Sequence, residues 1–176
     1  TTPKTAAVSF QAGGKTCHMG GICKGSGMIP PNMGTMICMI TTDCAVDREL
    51  LQALLLVKVN ISFNRISVDG DTSTNDTCCI LANGMAANQQ IKAKTDDGYE
   101  NLAEALEYLC IQLARKIAAD GEGATHLITC KVSGAASEAD AEGLAKSVCS
   151  SSLVKAAMFG ADANWGRIIC AMGYSG

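Results

Sequence analysis

The residues best suited to chemistry gather around glycine. In KGSGMIPPNMGTMICMITTD, residues 24–43, Lys24 heads a Gly-Ser-Gly turn and Thr35 directly follows Gly34, where a loop gives way to an apolar run. A threonine hydroxyl is a poor nucleophile unless a base removes its proton. The two histidines, His18 and His126, each stand apart from any Cys or carboxylate at ligand or triad spacing, so neither supplies that base. Cutting the Gly34–Thr35 bond offers another. The freed α-amine of Thr35, with an ordinary pKa of roughly 7.7–8.0, suits proton transfer near neutral pH, and a small Gly34 lets the hydroxyl attack its own preceding carbonyl. On spacing alone, a purely structural threonine at a loop–strand junction is the competing reading.

Other glycine-rich stretches lead elsewhere. Gly13-Gly14-Lys15-Thr16 ends like a phosphate-binding loop, but Ser9 occupies the place of the required first glycine, so a hairpin turn is the better reading. The Lys24-Gly25-Ser26-Gly27 turn is followed by Met28, Ile29, Pro30, Pro31 and Asn32, not by a helix whose N-terminus could receive a phosphate. The ten cysteines form no CxxC pair, which argues against zinc. They read as reduced thiols acting as small core hydrophobes, with a disulfide framework as the alternative.

Elements that would position these residues follow from periodicity. Residues 6–10 and 15–23 predict a hairpin turning at Gly13-Gly14, and the apolar run 36–40 predicts a buried strand. Asp47 predicts the N-cap of a helix carrying Leu50, Leu51, Leu54 and Leu55. Strands are expected at 65–68 and 78–82. A helix from Gly98 carries Leu102, Leu106, Leu109, Leu113 and Ile117, with Asp97 and Glu100 as a capping-box-like start. Alternation of Ile128, Cys130 and Val132 with Thr129 and Lys131 predicts a half-buried strand at 126–132. Ser137 and Asp140 open a helix through Ala145 and Val148, and 168–172 is expected as a closing strand. Mixed strands with amphipathic helices give an α/β layered sandwich, a mixed or antiparallel sheet covered by helices; one sheet or two stays open.

Composition narrows the partners. With 176 residues, 48% hydrophobic content and a net charge of −3, the chain has the makeup of a globular unit. Mild acidity without a Lys/Arg block leaves no basis for nucleic-acid binding. No apolar run approaches the roughly 20 residues of a membrane span, and TTPKTAAVSF lacks the pattern of a secretory signal.

KGSGMIPPNMGTMICMITTD resembles the self-cleavage and nucleophile segment of the glutamate N-acetyltransferase, or ornithine acetyltransferase, family of arginine biosynthesis. TTPK followed by AAV, GGKTCHMGGICKGSGMI, SVDGDTSTNDT, ILANG, DGEGAT and ADANWGRI resemble further family segments in the same order. The resemblance covers essentially the whole chain and implies the layered ornithine acetyltransferase (DmpA-like) fold. It implies that Thr35 cleaves the precursor at Gly34–Thr35 and then carries an acetyl group as an ester from N-acetylornithine to glutamate. It also implies that Lys24 binds substrate, as its charge suits a carboxylate, and that Glu122 of DGEGAT receives an ammonium. Gly121 and Gly123 would bend the backbone to present Glu122, Gly121 also fitting a helix C-cap. Residues 1–34 would then end an α-subunit and 35–176 begin a β-subunit, two such cleaved chains forming a cytoplasmic α/β heterotetramer. No cofactor is required, with acetyl-CoA left open as a second donor. Departures are Gly34, where the family usually has alanine, and Pro31 and several cysteines. The family's oxyanion Thr-Gly pair and further substrate residues match nothing between Thr1 and Gly176, so this chain in isolation is expected to be inactive. Two rivals are an N-terminal-nucleophile aminopeptidase of related fold, which would typically use serine, and a non-catalytic remnant of the family.

Overall fold

A computed structural model describes residues 2–27, 36–70 and 75–175. Four strands form one mixed sheet in the order β1-β2-β3-β4: β1 Lys4–Ala12, β2 Lys15–Lys24, β3 Ile37–Thr42 and β4 Thr77–Ala82. The hairpin between β1 and β2 is as expected. Ala12 faces Lys15 across the loop, and Gly13 and Gly14 hold φ of 55° and 70°, the mirror-image turn that matches strand twist and is open mainly to glycine. β2 pairs antiparallel with β3, whereas β3 and β4 run parallel, Ile37 opposite Thr77 through Thr42 opposite Ala82. A parallel pair needs a crossover, and helix α1, Arg48–Asn60, supplies it. Asp47 caps α1 as predicted, its side chain accepting the Glu49 and Leu50 N–H groups.

The long helix α2, Tyr99–Ala119, covers one face of the sheet. Its Leu102, Leu106, Leu109, Leu113 and Ile117 are fully buried against Cys17, Met19, Cys38 and Ile40 from β2 and β3. Each such side chain contributes about 1.5–3 kcal/mol on leaving water. Gly21 lets α2 come close: a Cβ there would lie 3.0 Å from both Leu109 Cδ2 and Leu113 Cδ1. The start of α2 differs from the predicted capping box. Gly98, at φ 89°, is the N-cap, and no side chain caps the helix. A Cβ at Gly98 would fall 2.5 Å from Ala12 Cβ, so close approach to β1 rather than a capping side chain fixes this end.

Three expected strands fared differently from the hairpin. Of residues 65–68, Arg65 ends a 3-10 turn, Phe63–Arg65, and 66–68 continue as irregular chain. Along 126–132 the alternation is real, Ile128, Cys130 and Val132 being half-buried and their neighbours exposed, but no described strand lies alongside to complete a ladder. Burial pattern is local to the sequence; pairing needs a partner. Residues 168–172 belong instead to helix α5, Trp165–Gly173, capped by Asn164. With α3, Glu138–Ser150, capped by Ser137 as expected, and the short α4, Ser152–Phe159, it forms a small cluster around Val148, Val154 and Ala171.

All ten cysteines are free thiols, in line with the reduced reading. Burial pushes Cys23 up to about 11 and Cys44 and Cys110 up to about 12, which keeps them protonated and unreactive.

Candidate active site at the end of the sheet

Lys24 is the last residue of β2, exposed, and faces Ile37 across the β2–β3 ladder. It lies on the face away from α2, beside exposed Ile22, Ile37 and Met39. Gly34 and Thr35 lie outside the described residues. The described chain resumes at Met36, directly before β3, at this same end of the sheet.

The turn after Lys24 reaches the third predicted residue. The Ser26 carbonyl accepts the Glu122 N–H at 2.9 Å, and a Cβ on Gly27 would stand 3.3 Å from Glu122 Cδ and Oε1. A side chain at 27 would crowd the Glu122 carboxylate, which lies close over the backbone there. Glu122 sits on a tight turn in which the Ala124 N–H donates to the Gly121 carbonyl at 2.9 Å and Gly123 adopts φ 70°. Gly121 is not the helix C-cap, a place taken by Asp120; it is buried, and a Cβ there would meet Val68 Cγ1 at 2.8 Å. The two glycines therefore do present Glu122, one by close packing and one by conformation. KGSG and DGEGAT, almost a hundred residues apart, are thus joined at one corner.

Two carboxylates at this corner were missed by residue-level reading of the sequence. Asp69 Oδ2 lies 3.4 Å from the same Gly27 Cβ position, so Asp69 and Glu122 flank the turn together. Asp76 accepts the Met36 N–H on Oδ1 at 2.5 Å, while its buried Oδ2 has no hydrogen-bond partner among the described residues. Burial pushes the Asp76 carboxyl above its ordinary range, only partly opposed by that N–H. Both belong to SVDGDTSTNDT, whose density of acids and hydroxyls was the signal. Which acid faces which backbone group could not follow from spacing.

The corner is polar, whereas a cavity beside it is mostly apolar. That cavity, about 940 Å³, lies between the end of α2 and helices α3 and α4, with Ile66, Val68, Ile128 and Phe159 in its walls. Glu122 lines it and Lys24 does not. The histidines sit elsewhere. His18 is not alone, as the sequence suggested: its Nδ1 lies 2.9 Å from Asp43 Oδ2 and its N–H donates to Asp43 Oδ1 at 2.7 Å, at the opposite end of β2 from Lys24. Strand register makes this pair, since residues 25 apart become cross-strand neighbours. Among the described residues no group of acids, cysteines and histidines could hold a metal, and no helix is long and apolar enough to cross a membrane.

Comparison with known proteins bears on the chain as a whole. The chain is 54% identical, over 96% of its length, to the arginine biosynthesis bifunctional protein ArgJ of Listeria monocytogenes serotype 4b (strain F2365). It is 50% identical, over 100% of its length, to the glutamate N-acetyltransferase of Methanocaldococcus jannaschii. It spans 43% of each of these relatives. A crystal structure of the arginine biosynthesis bifunctional protein from Bacillus halodurans superposes with a TM-score of 0.76 at 50% identity, covering 78% of this chain and 64% of that one. The α/β arrangement expected from the sequence is therefore that of a solved relative. Since the ArgJ family model matches residues 1–176 without a gap at either end, the chain belongs to the ArgJ family.

Proposed function

We propose that this chain is the portion of a glutamate N-acetyltransferase that holds the nucleophile and one side of the substrate site. The observation that carries the reading is the corner itself, where the Lys24 turn, the Glu122 turn and the residue following Thr35 come to one end of the sheet. Autocatalytic cleavage before Thr35 frees its α-amine, which then serves as the base for its own hydroxyl. The hydroxyl oxygen bonds to the acetyl carbon of N-acetylornithine, the carbon–nitrogen bond breaks, and the proton held by the amine passes to the departing ornithine nitrogen. The glutamate amine nitrogen then bonds to the acetyl carbon of the resulting ester, and the carbon–oxygen bond to Thr35 breaks. The Thr35 oxygen regains a proton from that amine by way of the Thr35 α-amine, and N-acetylglutamate leaves. Lys24 pairs with a substrate carboxylate, and Glu122, with Asp69 beside it, receives an ammonium.

In this reading residues 1–34 end one subunit and 35–176 begin the next, both within one structural unit. Two cleaved chains assemble as an α/β heterotetramer. The oxyanion donors come from the additional length of the relatives, so the chain by itself lacks a complete site. Ten free thiols fit a reducing compartment such as the cytoplasm.

The test uses the full-length polypeptide. Thr35→Ala is expected to stop cleavage at 34–35, read by intact mass, and to lower acetyl transfer from N-acetylornithine by at least about a thousandfold. Transfer surviving in that variant removes Thr35 from its role. Release of amino acids from peptides, with no acetyl transfer, would assign the chain to the aminopeptidases instead.

A further inference from the structure

Three cysteines stand in one row across the sheet. Cys23 on β2 faces Cys38 on β3, and Cys38 faces Cys78 on β4. Ladder partners share a face, and for this row it is the face covered by α2, which brings Cys110 to the same core. The four thiols are not equivalent. Cys23, held up to about 11 by burial, donates to the Leu113 carbonyl at 3.8 Å, and buried Cys110 is held up to about 12. Cys78 is only partly buried, on the strand that ends the sheet among the described residues, so small solutes reach it. The Cys38 thiol donates a hydrogen bond to Cys78, which lowers Cys78 below the ordinary thiol range against the opposing effect of burial. That same bond, and then burial, pushes Cys38 well up. One thiol of the pair ionises readily and its neighbour keeps a proton to give, as an attacking and a resolving cysteine do.

Covalent geometry permits a bond between them. Adjacent strands lie roughly 4.8 Å apart, and the Cα atoms of bridged cysteines are roughly 4.4–6.8 Å apart. The Cβ atoms of a bridge come closer, to roughly 3.8 Å, so a bridge here draws β3 and β4 together and is readily reduced. The next row outward is Lys24, Ile37 and Thr77, so that movement reaches the end of the sheet that holds Lys24.

We propose that Cys78 and Cys38 form a reversible dithiol switch, one row behind Lys24, that hydrogen peroxide closes to a disulfide. The Cys78 thiolate sulfur bonds to one peroxide oxygen, the oxygen–oxygen bond breaks, and hydroxide leaves a sulfenic acid on Cys78. The Cys38 sulfur then bonds to the Cys78 sulfur, the sulfur–oxygen bond breaks, and the Cys38 proton departs with the hydroxyl group as water. The two cysteines lose two electrons and peroxide gains them. A small dithiol reopens the bridge by exchange and is itself oxidised to a disulfide. The switch goes beyond the acetyl-transfer reading and does not depend on it.

The test uses the full-length protein, treated with hydrogen peroxide and then alkylated at its remaining thiols. Peptide mass mapping should join the Cys38 and Cys78 peptides with the loss of two hydrogens, and dithiothreitol should release them. Acetyl transfer to glutamate should fall at least about fivefold in the bridged protein and return on reduction. Cys78→Ser should form no bridge and keep its transfer activity through the treatment, whereas Cys170→Ser, which removes an exposed thiol, should bridge as the wild type does. Should Cys78→Ser fail to fold, Cys78→Ala carries the same readouts. A bridge in another touching pair, Cys17 with Cys44 or Cys130 with Cys149, in place of this one overturns the assignment. So does Cys78 driven to sulfinic acid without bridging, a bridge that leaves transfer unchanged, or peroxide inactivation that persists in Cys78→Ser. A reduced wild-type enzyme without any transfer would undo the acetyltransferase reading alone, since the bridge is read by mass.

Discussion

The half of the molecule built from the sheet, α1 and α2 and the half beyond Asp120 use their apolar residues differently. In the first, α2 buries its whole stripe against the strands, and Leu102, Leu106, Leu109, Leu113 and Ile117 have no exposed surface. In the second, helices α3–α5 close over only Val148, Val154 and Ala171, while Phe159 and Trp165 are each 71% exposed and Ile169 58%. The first region is stabilised by contacts within itself. The second has apolar faces left exposed among the described residues, as has the side of the sheet bearing Ile22, Ile37, Met39 and Leu81. The candidate site lies where the two meet, at Gly27 and Glu122. Its position is thus fixed firmly on the Lys24 side and lightly on the other.

Substitutions should separate the regions, beginning with the tightest contact. Gly98→Ala places a Cβ 2.5 Å from Ala12 Cβ at φ 89°, and is expected to cost about 3–5 kcal/mol in denaturant unfolding, combining backbone strain with overpacking. Leu109→Ala, fully buried on the sheet-facing side of α2, should cost about 3 kcal/mol. Equal loss from Val154→Ala in the small cluster would break the contrast, since about 1–2 kcal/mol is expected there, and Trp165→Ala should stay within about 0.5 kcal/mol.

A further test sits on the boundary itself. Lys4, only 3% exposed, pairs with Asp120 at 2.5 Å, and Asp120 also accepts the Thr2 N–H. The Lys4 ammonium, then that N–H, hold the Asp120 carboxyl below its usual range. A depressed carboxyl contributes stability that is present above its unfolded pKa, near 3.9, and is lost as pH falls through the lower folded value. Asp120→Asn should therefore lower Tm by a few degrees at pH 7, with the gap from wild type narrowing below about pH 4 in thermal scans. A gap that persists unchanged at acid pH would show that the pair is not what ties β1 to the end of α2.

Much of this was legible before any coordinates. Asp47 and Ser137 were readable as caps because a cap bonds to backbone two or three residues on. The Gly13-Gly14 hairpin and the α2 stripe were readable because their periods are local. Residues 168–172 misled because five apolar residues in a row carry no period, and Asn164 as the cap of α5 was the signal overlooked. Residues 126–132 showed the correct alternation, but a ladder depends on a second strand that spacing cannot supply.

Chemistry divides along the same line. Lys24, Glu122 and the Gly34–Thr35 bond were found from residue types and from motifs that resemble one family, because a nucleophile with its own amine and a cation beside glycines are properties of short segments. Only the tertiary structure decided that Ser26 and Gly27 clasp Glu122, that Asp69 shares that corner, and that Asp76 grips Met36. Those contacts join residues tens of positions apart, and the distance between them is set by strand register and by how closely a glycine lets two backbones approach.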